Sequence, residues 1–297
     1  MPTIRANGID LYFEDSGPAD APVVLLVMGL GTQMIAWPGE FVQGLVDAGF
    51  RVVNYDNRDI GLSTRLDGAP APNLFWVLIA SRLGLPLRLA YSLEDMAADG
   101  AGLLEALGIE KAHVVGASMG GMIAQHIAAA YPHRVNSLTS IMSTSGRPGL
   151  PGPDPQIRRR LMSKRPLRPS RDEAIAMGAE ALRSVSYPDS TREPTAFAKM
   201  AARAFDRSYN PEGMYRQLVA IIADGSRVSQ LKAICTPTLV VHGAADRLVP
   251  KACSEDIVKH VAGAKLEIVE EMAHDLPPSQ VGRLVALIAG HARSVRC

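Results

Sequence analysis

Cysteine is scarce in this 297-residue chain: Cys235, Cys253 and Cys297 make three. An odd, scattered set matches neither a disulfide framework nor a zinc-binding spacing. Incidental thiols in a reducing compartment are expected instead. Charge of one sign is also lacking. Lys and Arg total 31 against 30 Asp and Glu, a net +1, so the chain as a whole has no electrostatic footprint for nucleic acid or an anionic membrane. Long hydrophobic runs are missing too. The most apolar stretch outside the expected strands, Asn73 to Ser81, is cut short by Arg82 and Pro86, whereas a spanning helix needs about 20 apolar residues. The opening MPTIRANGIDLYFEDSG has neither a basic start nor an apolar core followed by small residues, so it reads as a first strand and not as a targeting signal. A cytoplasmic protein is the expectation.

What is present is alternation. Ile9–Glu14 and the apolar run Val23–Met28 read as strands, the second covered on both faces. A helix is expected around Phe41–Ala48, a strand at Arg51–Tyr55, and a helix over Leu93–Leu107 behind Ser92 as N-cap. A strand at His113–Val115 enters a Gly-rich turn, a helix Met122–Ala130 follows, and Val135–Met142 is the next strand. From Arg147 to Arg227 the composition changes: prolines cluster, Arg158-Arg159-Arg160 stand together, and the periodicity is helical. Strands at Thr238–His242 and Lys265–Val269, with helices around Cys253–His260 and Gln280–Ala292, then resume the pattern. This predicts an α/β protein with a mostly parallel, doubly wound sheet. Its core would be residues 1–145 and 230–297, with 146–229 as a helical cap. The stretch 74–89 is left open between a second lid element, a dimer surface and a buried hairpin.

The strongest chemical signal is Gly116-Ala117-Ser118-Met119-Gly120, between an expected strand and an expected helix. This matches the G-x-S-x-G nucleophile elbow in its proper context. The glycines are needed because a turn sharp enough to lift a serine Oγ above a sheet crowds its neighbours. A serine needs a positioned base. Of seven histidines, His274 lies in the loop leaving the last strand, at the sheet edge where sites form, and it is the candidate base. Asp246, in the turn after the preceding strand, is the candidate acid, in the order Ser…Asp…His that goes with such an elbow. Asp154 is a weaker rival, and Asp275 should point away from the imidazole. Two backbone N–H groups would form an oxyanion hole, those of Met119 and Leu30. Gly29, Trp37 and Met122 are candidate pocket residues, with Phe75 and Trp76 as further apolar candidates. All but the glycine are more often plain core than pocket wall.

These motifs resemble the α/β-hydrolase fold across the proposed core. Met28-Gly29-Leu30-Gly31 is similar to the family's H-G-x loop, with Met28 in place of His. Tyr55 to Ser63 resembles its D-x-R-G-x-G-x-S loop, with Asp59 in place of Gly and Arg58 in a structural role. The Val-Met-Gly and Met-Ala-His segments look most like bacterial carboxylesterases of the aclacinomycin methylesterase type. The resemblance implies serine-based acyl transfer on small to medium apolar esters, without metal or organic cofactor. Ser118 argues against the Asp-nucleophile dehalogenases and epoxide hydrolases of the fold. C–C bond hydrolysis, cofactor-free perhydrolysis, or ligand binding without catalysis are the alternatives. The expected partner is a small-molecule ester, with no nucleic acid and no membrane span, and homodimerisation is left open. Met177 and Met214 are expected among the cap's pocket walls.

Overall fold

A computed structural model describes residues 3–163 and 166–295, so Cys297 lies outside the described residues. Eight strands form one sheet: β1 (Thr3–Ala6), β2 (Ile9–Ser16), β3 (Val23–Val27), β4 (Arg51–Tyr55), β5 (Ala112–Ala117), β6 (Val135–Ile141), β7 (Thr238–Gly243) and β8 (Lys265–Val269). Their order is β1-β2-β4-β3-β5-β6-β7-β8. The β1/β2 and β2/β4 pairings are antiparallel, and the pairings from β4 through β8 are parallel. Strand β1 is additional to the strands expected from apolar runs, and Asn7-Gly8, the strongest kind of short hairpin signal, joins it to β2. Both residues adopt positive φ, +46° and +78°, as a tight two-residue turn requires.

Successive side chains of a strand point to opposite faces, so β3 needs an apolar layer on each. Val23, Leu25 and Val27 pack into one core with Leu93, Met96, Leu103, Ile123 and Ile127. Val24 and Leu26 pack into the other with Phe41, Leu45, Leu284 and Ile288. The helices supplying the second layer are α1 (Gly39–Asp47) and α11 (Val281–Ser294). The first is supplied by α3 (Leu93–Ala106), which Ser92 and Asp95 start with a reciprocal capping box, and α4 (Met119–Ala130). Helix α10 (Ala252–His260) joins the same side.

The stretch left open in the sequence is helix α2 (Leu74–Leu83), capped by Asn73 at its start and by Gly84 at φ +64° at its end. It is not a hairpin. Between β6 and β7 come α5 (Pro155–Met162), α6 (Arg171–Val185), α7 (Ala196–Arg207), α8 (Pro211–Asp224) and α9 (Val228–Ala233). Helix α8 lies on α2, with Leu218 and Val219 against Leu74 and Val77.

The loop after β4 ties these inserted helices to the sheet. Arg58 is buried on Asp99 at 2.6 Å. Asp59, the departure from the family loop, adopts φ +70°. Its carboxylate accepts from Arg216 of α8 at 2.8 and 3.0 Å and from the Leu66 N–H at 2.7 Å. A glycine at 59 would relieve about 1 kcal/mol of backbone strain. Stranding buried Arg216 costs about 3–5 kcal/mol. Asp59→Gly should therefore lose about 2–4 kcal/mol of stability in urea unfolding, and adding Arg216→Met should recover most of it. A stabilised single variant would mean that strain outweighs the pair.

Buried His113 contacts Ser137 Oγ through Nδ1 at 2.8 Å, and burial, aided by His291, pushes its pKa down to about 4. The unfolded chain takes up this proton near 6.5. Stability is thus fully present above that pH and falls as pH drops toward 4, by about 3 kcal/mol from this residue. Replacing it by Gln should flatten that limb in urea unfolding measured against pH. An unchanged slope would show that His113 is protonated in the fold.

Candidate active site

Ser118 occupies the single-residue step between β5 and α4, with φ +57° and ψ −119°. An L-residue rarely adopts such angles, and the surroundings enforce them. A Cβ on Gly116 would lie 2.0 Å from the Gly120 carbonyl oxygen, and one on Gly120 would lie 2.0 Å from that of Val27. Both glycines are therefore steric requirements of the turn. The Ser118 N–H donates to the Ile141 carbonyl at 2.9 Å, and Ser143 Oγ donates to the Ser118 carbonyl at 2.9 Å. So anchored, Ser118 is partly exposed although its chain neighbours are buried.

His274 Nε2 lies 2.9 Å from Ser118 Oγ, and Nδ1 lies 2.7 Å from Asp246 Oδ2. The carboxylate only accepts, so Nδ1 carries the proton and Nε2 is free to accept from the hydroxyl. Asp246 Oδ1 accepts from the Leu248 and Val249 N–H groups, both at 2.8 Å, which fixes the acid in the turn after β7. His242 Nε2 donates to the Val249 carbonyl at 2.8 Å while Nδ1 accepts from Ser254 Oγ at 2.6 Å. Burial holds its pKa down, so it stays neutral beside the acid. A carboxylate, an imidazole and a hydroxyl in this sequence can move a proton off the serine as it attacks an electrophile.

Asp154, the rival acid, is elsewhere: it caps α5 through the Gln156 N–H and pairs with Arg247 at 2.7 Å. Asp275 turns from the imidazole toward the inserted helices. It accepts from the Tyr187 N–H at 3.0 Å and pairs with Arg192, while the His274 N–H donates to the Val185 carbonyl at 2.9 Å. The histidine's loop is thus latched to the segment joining α6 and α7. The Arg192 side of this latch carried no signal in the sequence.

Gly29 lies against the elbow, where a Cβ would be 3.2 Å from Ser118 Cβ. Met119 opens α4, and its N–H is among those a helix leaves without an internal acceptor. The neighbouring loop lacks the family's histidine, and other side chains order it. Asn57 Nδ2 donates to the Met28 carbonyl at 2.9 Å, and Gln217 Oε1 of α8 accepts from the Gly31 N–H at 2.9 Å. Gln217 also donates to the Arg58 carbonyl at 2.9 Å. Asn57 sits inside the loop read from sequence. Gln217 sits in an amphipathic helix with nothing local to mark it.

Two pocket expectations need correction. Trp37, 3% exposed, stacks on Phe41 at 5.2 Å in the α1 core. Met122, 6% exposed, is packed in the core beneath α3 and α4. Each packs into the core, and neither lines a cavity described below. Phe75 and Trp76 lie outward on α2, 74% and 50% exposed. A cavity of about 230 Å³ adjoins Leu30, Gly31 and Gln33, walled by Gly178, Leu182, Met200, Ala204 and Met214 of the inserted helices. A larger one of about 470 Å³ lies on the other side of Met214. Met214 borders both, whereas Met177 borders neither.

Among the described residues no cluster of His, Cys, Asp and Glu could hold a metal ion, and no helix is long and apolar enough to cross a membrane. Cys235 is exposed and Cys253 buried, both as free thiols.

Comparison with known proteins agrees with this architecture. The rhodomycin D methylesterases of Streptomyces peucetius and Streptomyces sp. strain C5 are each 28% identical to the chain, covering 99% of it and 99% of their own length. A meta-cleavage product hydrolase from Pseudomonas fluorescens IP01 superposes with a TM-score of 0.78 at 21% identity, over 100% of this chain and 98% of its own. A thermophilic esterase from Thermogutta terrifontis does so with 0.73 at 23%, over 100% and 99%. Residues 22–277 match the sequence model of the alpha/beta hydrolase fold, and the chain belongs to that family.

Proposed function

We propose that this protein is a carboxylic-ester hydrolase that works through an acyl-enzyme on Ser118. The observation carrying this reading is the continuous chain from Ser118 Oγ to His274 at 2.9 Å and from His274 to Asp246 at 2.7 Å. In the first half-reaction His274 Nε2 takes the serine proton as Oγ bonds to the ester carbonyl carbon. The N–H groups of Leu30 and Met119 stabilise the resulting oxyanion. His274 then returns the proton to the departing alcohol oxygen. In the second half-reaction it activates water to release the acid and restore Ser118. Asp246 holds the imidazole tautomer and offsets its transient positive charge. Each step uses groups of the chain and water.

Residues 1–145 and 230–297 act as the core in this reading, and 146–229 as a cap. The cap walls of the 230 Å³ cavity are mostly apolar and small, which favours small to medium apolar esters. The full-length similarity to rhodomycin D methylesterases supports a methyl ester on a larger apolar acid as the first substrate to try. A panel of p-nitrophenyl esters from C2 to C12, a methyl ester of a polycyclic acid and a vinylogous diketone tests the reading. Ester turnover is expected. Cleavage of the diketone alone would assign the site to C–C hydrolysis.

Ser118→Ala should lower ester turnover by on the order of 10⁶, and a fluorophosphonate should label the native protein at Ser118. Labelling at any other residue would remove it as the nucleophile. Asp246→Asn should cost about 10⁴, while Asp154→Asn leaves turnover nearly unchanged; equal losses would move the acid.

The Asp275 latch predicts a subtler effect. Arg192→Ala should lower kcat by on the order of ten- to a hundredfold, with KM changing less, because the base loses its fixed approach to Ser118. An unchanged kcat would show that the cap can shift without moving His274.

A further inference from the structure

Helix α2 leaves a large apolar surface without a protein partner. Leu74, Val77 and Ala80 are buried, the first two against α8. The opposite side presents Phe75, Trp76, Leu78 and Leu83, and Leu85 extends it beyond the helix end. Contiguous exposure of this kind marks an interaction site. At ten residues the helix is too short to span a bilayer. The charge along this stretch of chain is one-sided. No Asp or Glu occurs from Gly68 to Leu93, whereas Arg82 and Arg88 do. Both are exposed, and neither has a carboxylate partner among the described residues. Arg82 follows Leu78 by four residues, so it lies within the outward face. Helix α5 packs beside α2 through Leu161, which joins the Leu74–Val77 cluster, and it carries exposed Arg158 and Arg159.

We propose that this face docks the protein on an anionic lipid surface, with Phe75, Trp76, Leu78 and Leu83 in the acyl layer and the arginines at the headgroups. Aromatic and leucyl side chains beside arginines suit that interface, and arginine stems reach along apolar surface to place their charge in water. A second copy fits less well, because a twofold contact sets the same patch, and thus the same arginines, against itself. The net +1 of the chain conceals this local asymmetry. The 470 Å³ cavity begins at Ala71 and Asn73, beside the start of α2, and reaches Met214, which also borders the cavity at Leu30 and Gly31. On the ester-hydrolase reading, Met214 would be the residue an apolar ester taken from the lipid must pass to reach the cavity beside Leu30.

The test is flotation with phosphatidylglycerol/phosphatidylcholine vesicles, read together with tryptophan emission. Trp37 is buried and Trp76 half exposed, so a shift to shorter wavelength reports α2. Binding to the anionic vesicles with that shift is expected, and a Phe75→Ser/Leu83→Ser variant should lose both while keeping its melting temperature. Neutralising Arg82 and Arg88 to Gln should weaken binding by about fivefold each. No flotation at low salt, or equal flotation with neutral vesicles, would overturn the proposal. So would an emission shift without lipid that tracks a dimer in sedimentation velocity, since a second copy would then occupy the face. Ser118→Ala protein should bind the vesicles as the native protein does, so failure of docking and failure of the ester reading are separate results.

Discussion

Four consecutive buried residues, Asp56 to Asp59, turn their polar side chains into the interior, and each is met by a different part of the chain. Asp56 accepts from the Met34 and Leu62 N–H groups at 2.8 and 2.9 Å and pairs with Arg207 of α7 at 2.7 Å. Asn57 holds the Met28 carbonyl, Arg58 holds Asp99 of α3, and Asp59 holds Arg216 of α8. A buried charge is tolerated only when it is paired and hydrogen-bonded. Once these partners are in place, the loop after β3, the helix packed on the sheet and two of the inserted helices have their positions set together. The rest of the site is built on that arrangement.

The inserted helices therefore do more than cover the sheet. Gln217 of α8 holds the Gly31 N–H on one side of the elbow. Val185, Tyr187 and Arg192 hold the His274–Asp275 segment on the other. A displacement of α6–α8 would reach both the donor loop and the imidazole, while the elbow itself is fixed by backbone contacts of Gly116 and Gly120 with the core. The division is physically sensible. The strained serine rests on the sheet core, and the loops around it are fastened to the inserted helices.

The departures from the family pattern make sense in the same terms. Met28 stands where the loop resemblance leads one to expect a histidine, and Asn57 and Gln217 order the loop by holding its backbone directly. Asp59 stands where the loop resemblance leads one to expect a glycine and pairs with Arg216, so the interior gains a tie to α8 in exchange for a strained φ.

The strand–helix alternation, the elbow around Ser118, and the loops holding Asp246 and His274 could be read from the sequence because each depends on local pattern: apolar runs, glycine at a crowded turn, and position after a strand. The Asn7-Gly8 hairpin is equally local, a two-residue turn at positive φ. Which apolar residue faces a cavity is not local. Trp37 and Met122 carry the same kind of side chain as Leu30 or Met214, and only packing sends the first two into the core and the others to the cavity wall. Gln217 and Arg192 had no signature at all, because a hydrogen bond across some 190 or 80 residues of chain leaves no trace in spacing. Composition and order along the chain determined the fold class and which side chains stand at the ends of its strands. The tertiary structure decided what surrounds them, since burial and pairing depend on which surfaces the folded sheet and helices bring together.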